Sequence, residues 1–268
     1  MTQTRTDPEG VTHRAVLRLD RDARAEADDS LAIETPVALV FNGISHAVMM
    51  ATPADLEDFA RGFTLTEGLV DDVGDIYGIE TVGGDRGIEL QIEIASRMFV
   101  RLKERRRSMA GPTGCGLCGI DDLDALDLRP PRVVPPAWLA DFDAAAIARA
   151  MRELAGRQPL NALTGGVHAA GWADPQGALI EVREDVGRHN ALDKLLGALA
   201  VRKLTPDDGF VVMSSRASVE LVRKCARLGV PLLATISAAT SLAVEVATDT
   251  GVRLHGFSRG DRSVQYTI

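Results

Sequence analysis

Between residues 142 and 257 the chain alternates helical stripes with short apolar runs, and this pattern leaves few architectures open. The spacing predicts a helix over 142–154, a strand over 178–182, and then a helix with the stripe Leu192, Leu195, Leu196 and Leu199. Asp185 is placed to cap that helix. Strands are predicted at 210–213 and 231–236. Between them lies a helix opened by Ser214-Ser215-Arg216-Ala217-Ser218 and closed by Gly229. A helix around 242–247 and a last long strand over 252–257 complete the series. Elements that alternate in this way cover the faces of a shared sheet, so this half is expected to be a layered α/β domain. Its strand-to-helix loops gather on one edge, where ligands of such sheets sit.

The first half reads as α+β. Two apolar runs, 37–41 and 44–50, flank Asn42-Gly43, a strong hairpin signal. Thr52-Pro53 is expected to open a helix, with Thr52 as N-cap and Leu56, Phe59, Ala60 and Phe63 as its buried stripe. Ile88, Leu90, Ile92 and Ile94 alternate with Glu89, Gln91 and Glu93, the mark of a half-buried strand. Residues 20–29 mix both charges with small residues and offer no apolar face, and residues 1–29 are expected to form a disordered tail. The proline-dense stretch 128–136 is expected to be an extended, stiff linker. The domain plan is thus a tail at 1–29, an N-terminal α+β domain at 30–110, a cysteine loop with linker at 111–136, and a C-terminal domain at 137–268.

Composition narrows the function. The chain has 268 residues and a net charge of −8, which argues against general nucleic-acid binding. No apolar run is long enough for a membrane span, and residues 1–6 lack the apolar core of a signal peptide, so a cytoplasmic protein is expected. Three cysteines are too few for a disulfide framework.

Two of them stand in Gly114-Cys115-Gly116-Leu117-Cys118-Gly119, just after the basic run Arg101-Leu102-Lys103-Glu104-Arg105-Arg106-Arg107. Glycines let another molecule approach the backbone closely, and positive charge favours the nucleophilic thiolate. A Cys-x-x-Cys suits sulfur transfer, dithiol redox chemistry, half of a zinc site, or no chemistry at all. No second pair with zinc spacing accompanies it. Cys225 falls in a helical apolar pattern with Leu221, Val222 and Leu228 and reads as structural.

Further candidates lie where strands meet helices. The stretch Glu184 to Lys194 is dense in polar groups. Gly187, Arg188, His189 and Asn190 suit an anion at a helix start, although Asp185 as a cap and an Arg188–Asp193 ion pair serve equally as scaffold. Arg216 and its neighbouring serines can hold a phosphate or simply cap a helix. Phe257-Ser258-Arg259-Gly260-Asp261-Arg262 offers two arginines and a stacking ring, or a bare solvated turn. His168 and Trp172 are candidates to line a pocket.

These stretches, in this order, resemble the formate dehydrogenase accessory sulfurtransferase family (FdhD/NarQ). The likeness rests on Phe41-Asn42-Gly43, residues 58–63, the cysteine motif, Thr164-Gly165-Gly166-Val167-His168, residues 184–194, Ser215-Arg216-Ala217-Ser218, Ser237-Ala238, and Gly256-Phe257 with Arg259 and Arg262. It runs from about Thr35 to Tyr266. The resemblance implies a cytidine-deaminase-like C-terminal domain beside the smaller N-terminal one. It implies a sulfur carrier that takes sulfur from a cysteine desulfurase and passes it to a molybdenum bis-molybdopterin guanine dinucleotide, before that cofactor enters formate dehydrogenase. Cys115 would carry the persulfide, with Cys118 as its partner. Phe257, Ser258, Arg259, Gly260, Asp261 and Arg262 would bind the cofactor, with help from Arg216, Arg188 and His189. A homodimer is expected, with no metal ligands in the chain and neither nucleic acid nor membrane as partner. Two other readings remain: a zinc-dependent deaminase-like hydrolase, and a non-catalytic cofactor chaperone. Deaminases use His-x-Glu, and neither His168-Ala169-Ala170 nor His189-Asn190-Ala191 supplies the glutamate.

Overall fold

The computed structural model describes residues 8–21, 23–108 and 130–267. Two sheet layers organise them. In the N-terminal layer the strands are β3 (Thr35–Phe41), β4 (Ile44–Ala51), β5 (Ile76–Gly84) and β6 (Gly87–Ile94), in the order β4-β3-β6-β5. The β3–β4 hairpin turns at Asn42 (φ 46°) and Gly43 (φ 81°), the left-handed pair that a tight primed turn requires. The Asn42 side chain also donates to Ile94 O and accepts from Ile94 N, which pins β6 to the turn. One face of this sheet is covered by α1 (Leu56–Thr66) and α2 (Ser96–Ser108). Phe59 and Ala60 of α1 are fully buried against Val37, Leu39, Phe41, Leu90 and Ile92. Each buried large apolar side chain contributes roughly 1.5–3 kcal/mol.

The C-terminal layer is a six-stranded sheet, with helices on both faces. Its strands are β7 (His168–Ala173), β8 (Leu179–Asp185), β9 (Phe210–Met213), β10 (Leu232–Thr235), β11 (Arg253–Arg259) and β12 (Arg262–Gln265), in the order β12-β11-β10-β9-β7-β8. On one face lie α5 (Arg188–Arg202), α6 (Val219–Arg227) and α7 (Ser241–Thr250). On the other lies α3 (Ala145–Gly156), followed by the short α4 (Pro159–Thr164). Leu192, Leu195, Leu196 and Leu199 are all buried on the sheet, as their spacing predicts. The layered α/β expectation holds.

Several local expectations are corrected. Residues 1–29 are not wholly without structure: β1 (Val11–Asp20) and β2 (Ala23–Ala32) pair antiparallel over ten residues each. Main-chain pairing, not an apolar core, holds this ribbon, and most of its side chains are exposed. Its base is fixed where Ile33 N donates to Gly10 O. Thr52 does not cap α1; the N-cap is Asp55, and its side chain makes no capping bond. Thr52 is instead spent on a contact between the layers. The second half of the linker is docked rather than free. Val133 is buried, and its N–H donates to Thr250 O at 2.7 Å. The basic run lies on α2, a helix absent from the sequence reading; there Arg101 pairs with Asp71 at 2.8 Å.

The two layers meet where α1 crosses α5. A Cβ built on Gly62 would stand 1.7 Å from Asp193 O, and one on Gly197 would stand 2.0 Å from Asp58 O. Only glycine allows backbones this close.

Candidate functional site

Strands β8, β9, β10 and β11 all run in one direction. β9, β10 and β11 are mutually parallel, and β7 is antiparallel to both β8 and β9. Their carboxyl ends therefore share an edge, and the loops there are stitched together through the backbone. Ala169 N donates to Ser214 Oγ at 2.8 Å, joining β7 to the loop after β9. Ala217 N donates to Ala238 O, and Thr240 N to Ala217 O, joining the loops after β9 and β10. Phe257 N donates to Ser237 O at 3.0 Å, and Arg259 Nε to Ile236 O at 2.9 Å, bringing in β11.

The stretch Glu184 to Lys194 divides in two. Its buried half is scaffold. Asp185 and Lys194 form a 2.7 Å pair with both side chains fully buried. Around it Thr52 N donates to Asp185 Oδ2, Lys194 Nζ to Thr52 O, and Asn190 Nδ2 to both Met50 O and Asp185 Oδ1. Asp185 is thus the last residue of β8 and a partner for the N-terminal layer, and the N-cap of α5 is Gly187. Asp193 does not pair with Arg188. It accepts from Lys224 Nζ at 2.9 Å and from Thr66 Oγ1 at 2.7 Å, and Lys224 also reaches Glu67. Burial pushes the Asp193 carboxyl up, and its carboxylate neighbours hold Lys224 above the usual lysine value despite burial. The sequence does carry a signal for this face: Asn190, Asp193, Lys194 and Gly197 recur at helical spacing.

The other half faces the sheet edge. Arg188 opens α5 with its Nε buried and without a hydrogen-bond partner. Burial, then the nearby Arg216, lowers its pKa. Glu220 opposes that shift more weakly, so a further anion would stabilise the guanidinium. His189 Nε2 stands 3.4 Å from Ser218 Oγ and 3.7 Å from Glu220 Oε2, and the histidine draws the Glu220 carboxyl down to about 2. His168, at the start of β7, has its pKa lowered by burial and then by Arg188. Arg188, His189, Arg216 and His168 are therefore brought to one edge.

The segment Phe257–Arg262 is split by a bulge between Gly256 and Arg259. Phe257 sits at φ 50°, a conformation costing roughly 1–3 kcal/mol for a side-chain-bearing residue, and its ring is 47% exposed. Gly256 is required beneath it, since a Cβ there would lie 2.8 Å from Ser237 O. Ser258 is buried on the α3 side, and Asp261 pairs with Arg152 of α3 at 3.0 Å. The segment thus addresses two places at once.

Other candidates resolve into the core. Trp172 is 1% exposed and packs under α5, so it lines no pocket at the edge. Cys225 is fully buried, and burial pushes its thiol far up. Cys115 and Cys118 lie outside the described residues. Among the described residues no group of three or more His, Cys, Asp and Glu is placed to hold a metal ion, and no helix is long and apolar enough to cross a membrane.

This architecture is shared with known proteins. A sulfur carrier protein FdhD from Chromobacterium violaceum is 56% identical over 260 residues, covering 97% of this chain and 96% of that one. One from Burkholderia mallei is 50% identical over 264 residues, covering 97% and 96%. A crystal structure described as that of a formate dehydrogenase accessory protein from Desulfotalea psychrophila superposes with a TM-score of 0.70 at 25% identity, covering 96% of this chain and 97% of that one. The sequence pattern of the FdhD/NarQ family matches residues 32–268, and the chain belongs to that family.

Proposed function

We propose that this protein is a sulfur carrier for formate dehydrogenase maturation, taking sulfur from a cysteine desulfurase and passing it to a molybdenum bis-molybdopterin guanine dinucleotide. The thiolate of Cys115 attacks the outer sulfur of the desulfurase persulfide. The old S–S bond breaks, the desulfurase cysteine leaves as thiolate, and Cys115 holds the persulfide, with Cys118 as its partner in delivery. The dinucleotide is the acceptor and is held by the carboxyl edge of the six-stranded sheet. There Arg188, His189 and Arg216 would meet its pyrophosphate oxygens, Phe257 would offer a face for stacking with Arg259 beside it, and Ser258, Gly260, Asp261 and Arg262 would reach it from the α3 side.

The observation that carries this reading is Arg188. Its buried, unpartnered Nε beside Arg216, at an edge where three loops converge, is what a polyanionic ligand requires. The names of the relatives support sulfur as the cargo. Intact mass after incubation with desulfurase and cysteine is expected to rise by one sulfur, and Cys115→Ala is expected to abolish the rise. An adduct that persists in Cys115→Ala removes Cys115 as the carrier. Full activation of formate dehydrogenase by that variant leaves a cofactor chaperone instead.

A further inference from the structure

The N-terminal sheet turns one face to α1 and α2, through Val37, Leu39, Phe41, Leu90 and Ile92. The alternate residues of the same strands form an outer face. There Val48 and Val82 are 49% and 42% exposed, and Ala38 and Glu89 are their cross-strand partners. Two depressions lie along this face. One, of about 730 Å³, is walled by Pro36, Ala38, Val48, Val82 and the turn at 83–87. The other, of about 390 Å³, runs from Asn42-Gly43 past Gly78, Glu80, Gln91 and Glu93. Together they follow the β5–β6 pair, and Gly78 to Gly84 spans roughly 20 Å of extended strand. Gly78, Gly83 and Gly84 of β5 line them, and the fold itself does not require these glycines. None has a positive φ. A Cβ on Gly83 would meet nothing within 4 Å, and the nearest atoms to one on Gly84 or Gly78 lie at 3.8 and 4.0 Å. Glycine weakens a strand interior, and its use there marks a close approach by another backbone. The charge is one-sided. Glu80, Glu89 and Glu93 are exposed on neighbouring strands, and Arg86 is the one base that lines the depressions. Like charges so placed repel, and a cationic partner relieves them.

We propose that this outer face is a docking groove for an extended, basic segment of a partner protein, with about six residues laid along β5 and β6. Its lysines or arginines meet Glu80, Glu89 and Glu93. Its small apolar side chains enter the depression between Val48 and Val82, and its backbone passes close over Gly78 and Gly84. Two copies of this chain joined face to face do not fit, because they would oppose the same carboxylates on a chain whose net charge is already −8. The groove shares no lining residue with the carboxyl edge of the six-stranded sheet, so the inference stands apart from the cofactor reading.

The test uses the full chain and a labelled hexapeptide, Lys-Lys-Val-Val-Lys-Lys, which presents a valine between lysines on either face of an extended chain. Fluorescence anisotropy should show that it binds, and that Glu-Glu-Val-Val-Glu-Glu does not. The double variant Gly78→Thr/Gly84→Thr should weaken the basic peptide about tenfold. Its unfolding temperature should stay level or rise, because the fold has room for both side chains and threonine favours a strand. Glu80→Gln/Glu89→Gln/Glu93→Gln should weaken the peptide by a similar factor, most of all at low salt. Arg188→Gln should leave it unchanged. If the glutamine variant loses affinity and the threonine variant does not, the peptide senses net charge alone and the groove is overturned. Affinity equal in wild type and both variants overturns it too. So does self-association, read by sedimentation, that the threonine variant loses, since the occupant is then a second copy.

Discussion

The junction of α1, α5 and α6 and the carboxyl edge of the six-stranded sheet are both crowded with charge, yet they treat it in opposite ways. At the junction every buried charge has a counter-charge: Asp185 with Lys194, and Asp193 and Glu67 with Lys224. At the edge the half-buried Arg188 has an Nε that is buried without a partner, and the neighbouring Arg216 outweighs the opposing pull of Glu220. Paired charge specifies how two layers dock, and unpaired charge specifies what is still to bind. The two kinds sit on one helix, a turn apart.

The largest test of this contrast is Asp193→Ala. It leaves Lys224 with Glu67 but without its fully buried partner, and the expected loss of stability in denaturant unfolding is up to about 3–5 kcal/mol. Replacing the whole cluster, as in Asp193→Leu/Lys224→Met/Glu67→Gln, should recover most of that loss. If the single variant is as stable as wild type, the junction is not held by paired charge.

His255 sharpens the other side, because it is a buried base with no counter-charge. Burial, then Arg253, lowers its pKa from 6.5 to about 4. The unfolded chain therefore binds this proton at a pH where the folded protein does not. Between pH 6.5 and about 4 stability falls as pH falls, by about 3 kcal/mol in all; above pH 6.5 the group has no effect. His255→Gln should flatten this part of the stability curve, as read by thermal unfolding across that range. An unchanged acid slope removes His255 as its cause.

At the edge Arg188→Gln should weaken guanine-nucleotide binding by about 1–3 kcal/mol, read by calorimetry, without loss of stability. A destabilised variant with normal affinity would move Arg188 from the site to the scaffold. The smallest effect is expected for Asp71→Asn. Its exposed pair with Arg101 contributes at most about 1 kcal/mol, which salt should screen.

Much of the fold was legible along the chain. The α5 stripe, the β3–β4 turn at Asn42-Gly43 and strands β6, β9 and β10 follow from periodicity and turn chemistry, which act over a few residues. The ribbon of β1 and β2 was not legible, because it lacks an apolar face and depends on pairing between distant backbone groups. The helix α2 was missed because its charged second half masks the short apolar face of Met98 and Leu102.

For the site, sequence alone determined which residues can do chemistry: the cysteine pair, the arginines after strands and the polar start of α5. It also determined the family, through motifs whose order no single motif carries. Only the tertiary structure decided which polar residues are spent. Thr52, Asp185, Asn190 and Asp193 look as available as Arg188, His189 and Arg216 until the N-terminal layer closes on α5 and satisfies the first set. The reason is physical: a hydrogen bond or ion pair is made by groups far apart in sequence, and its worth depends on burial, which only the assembled core sets.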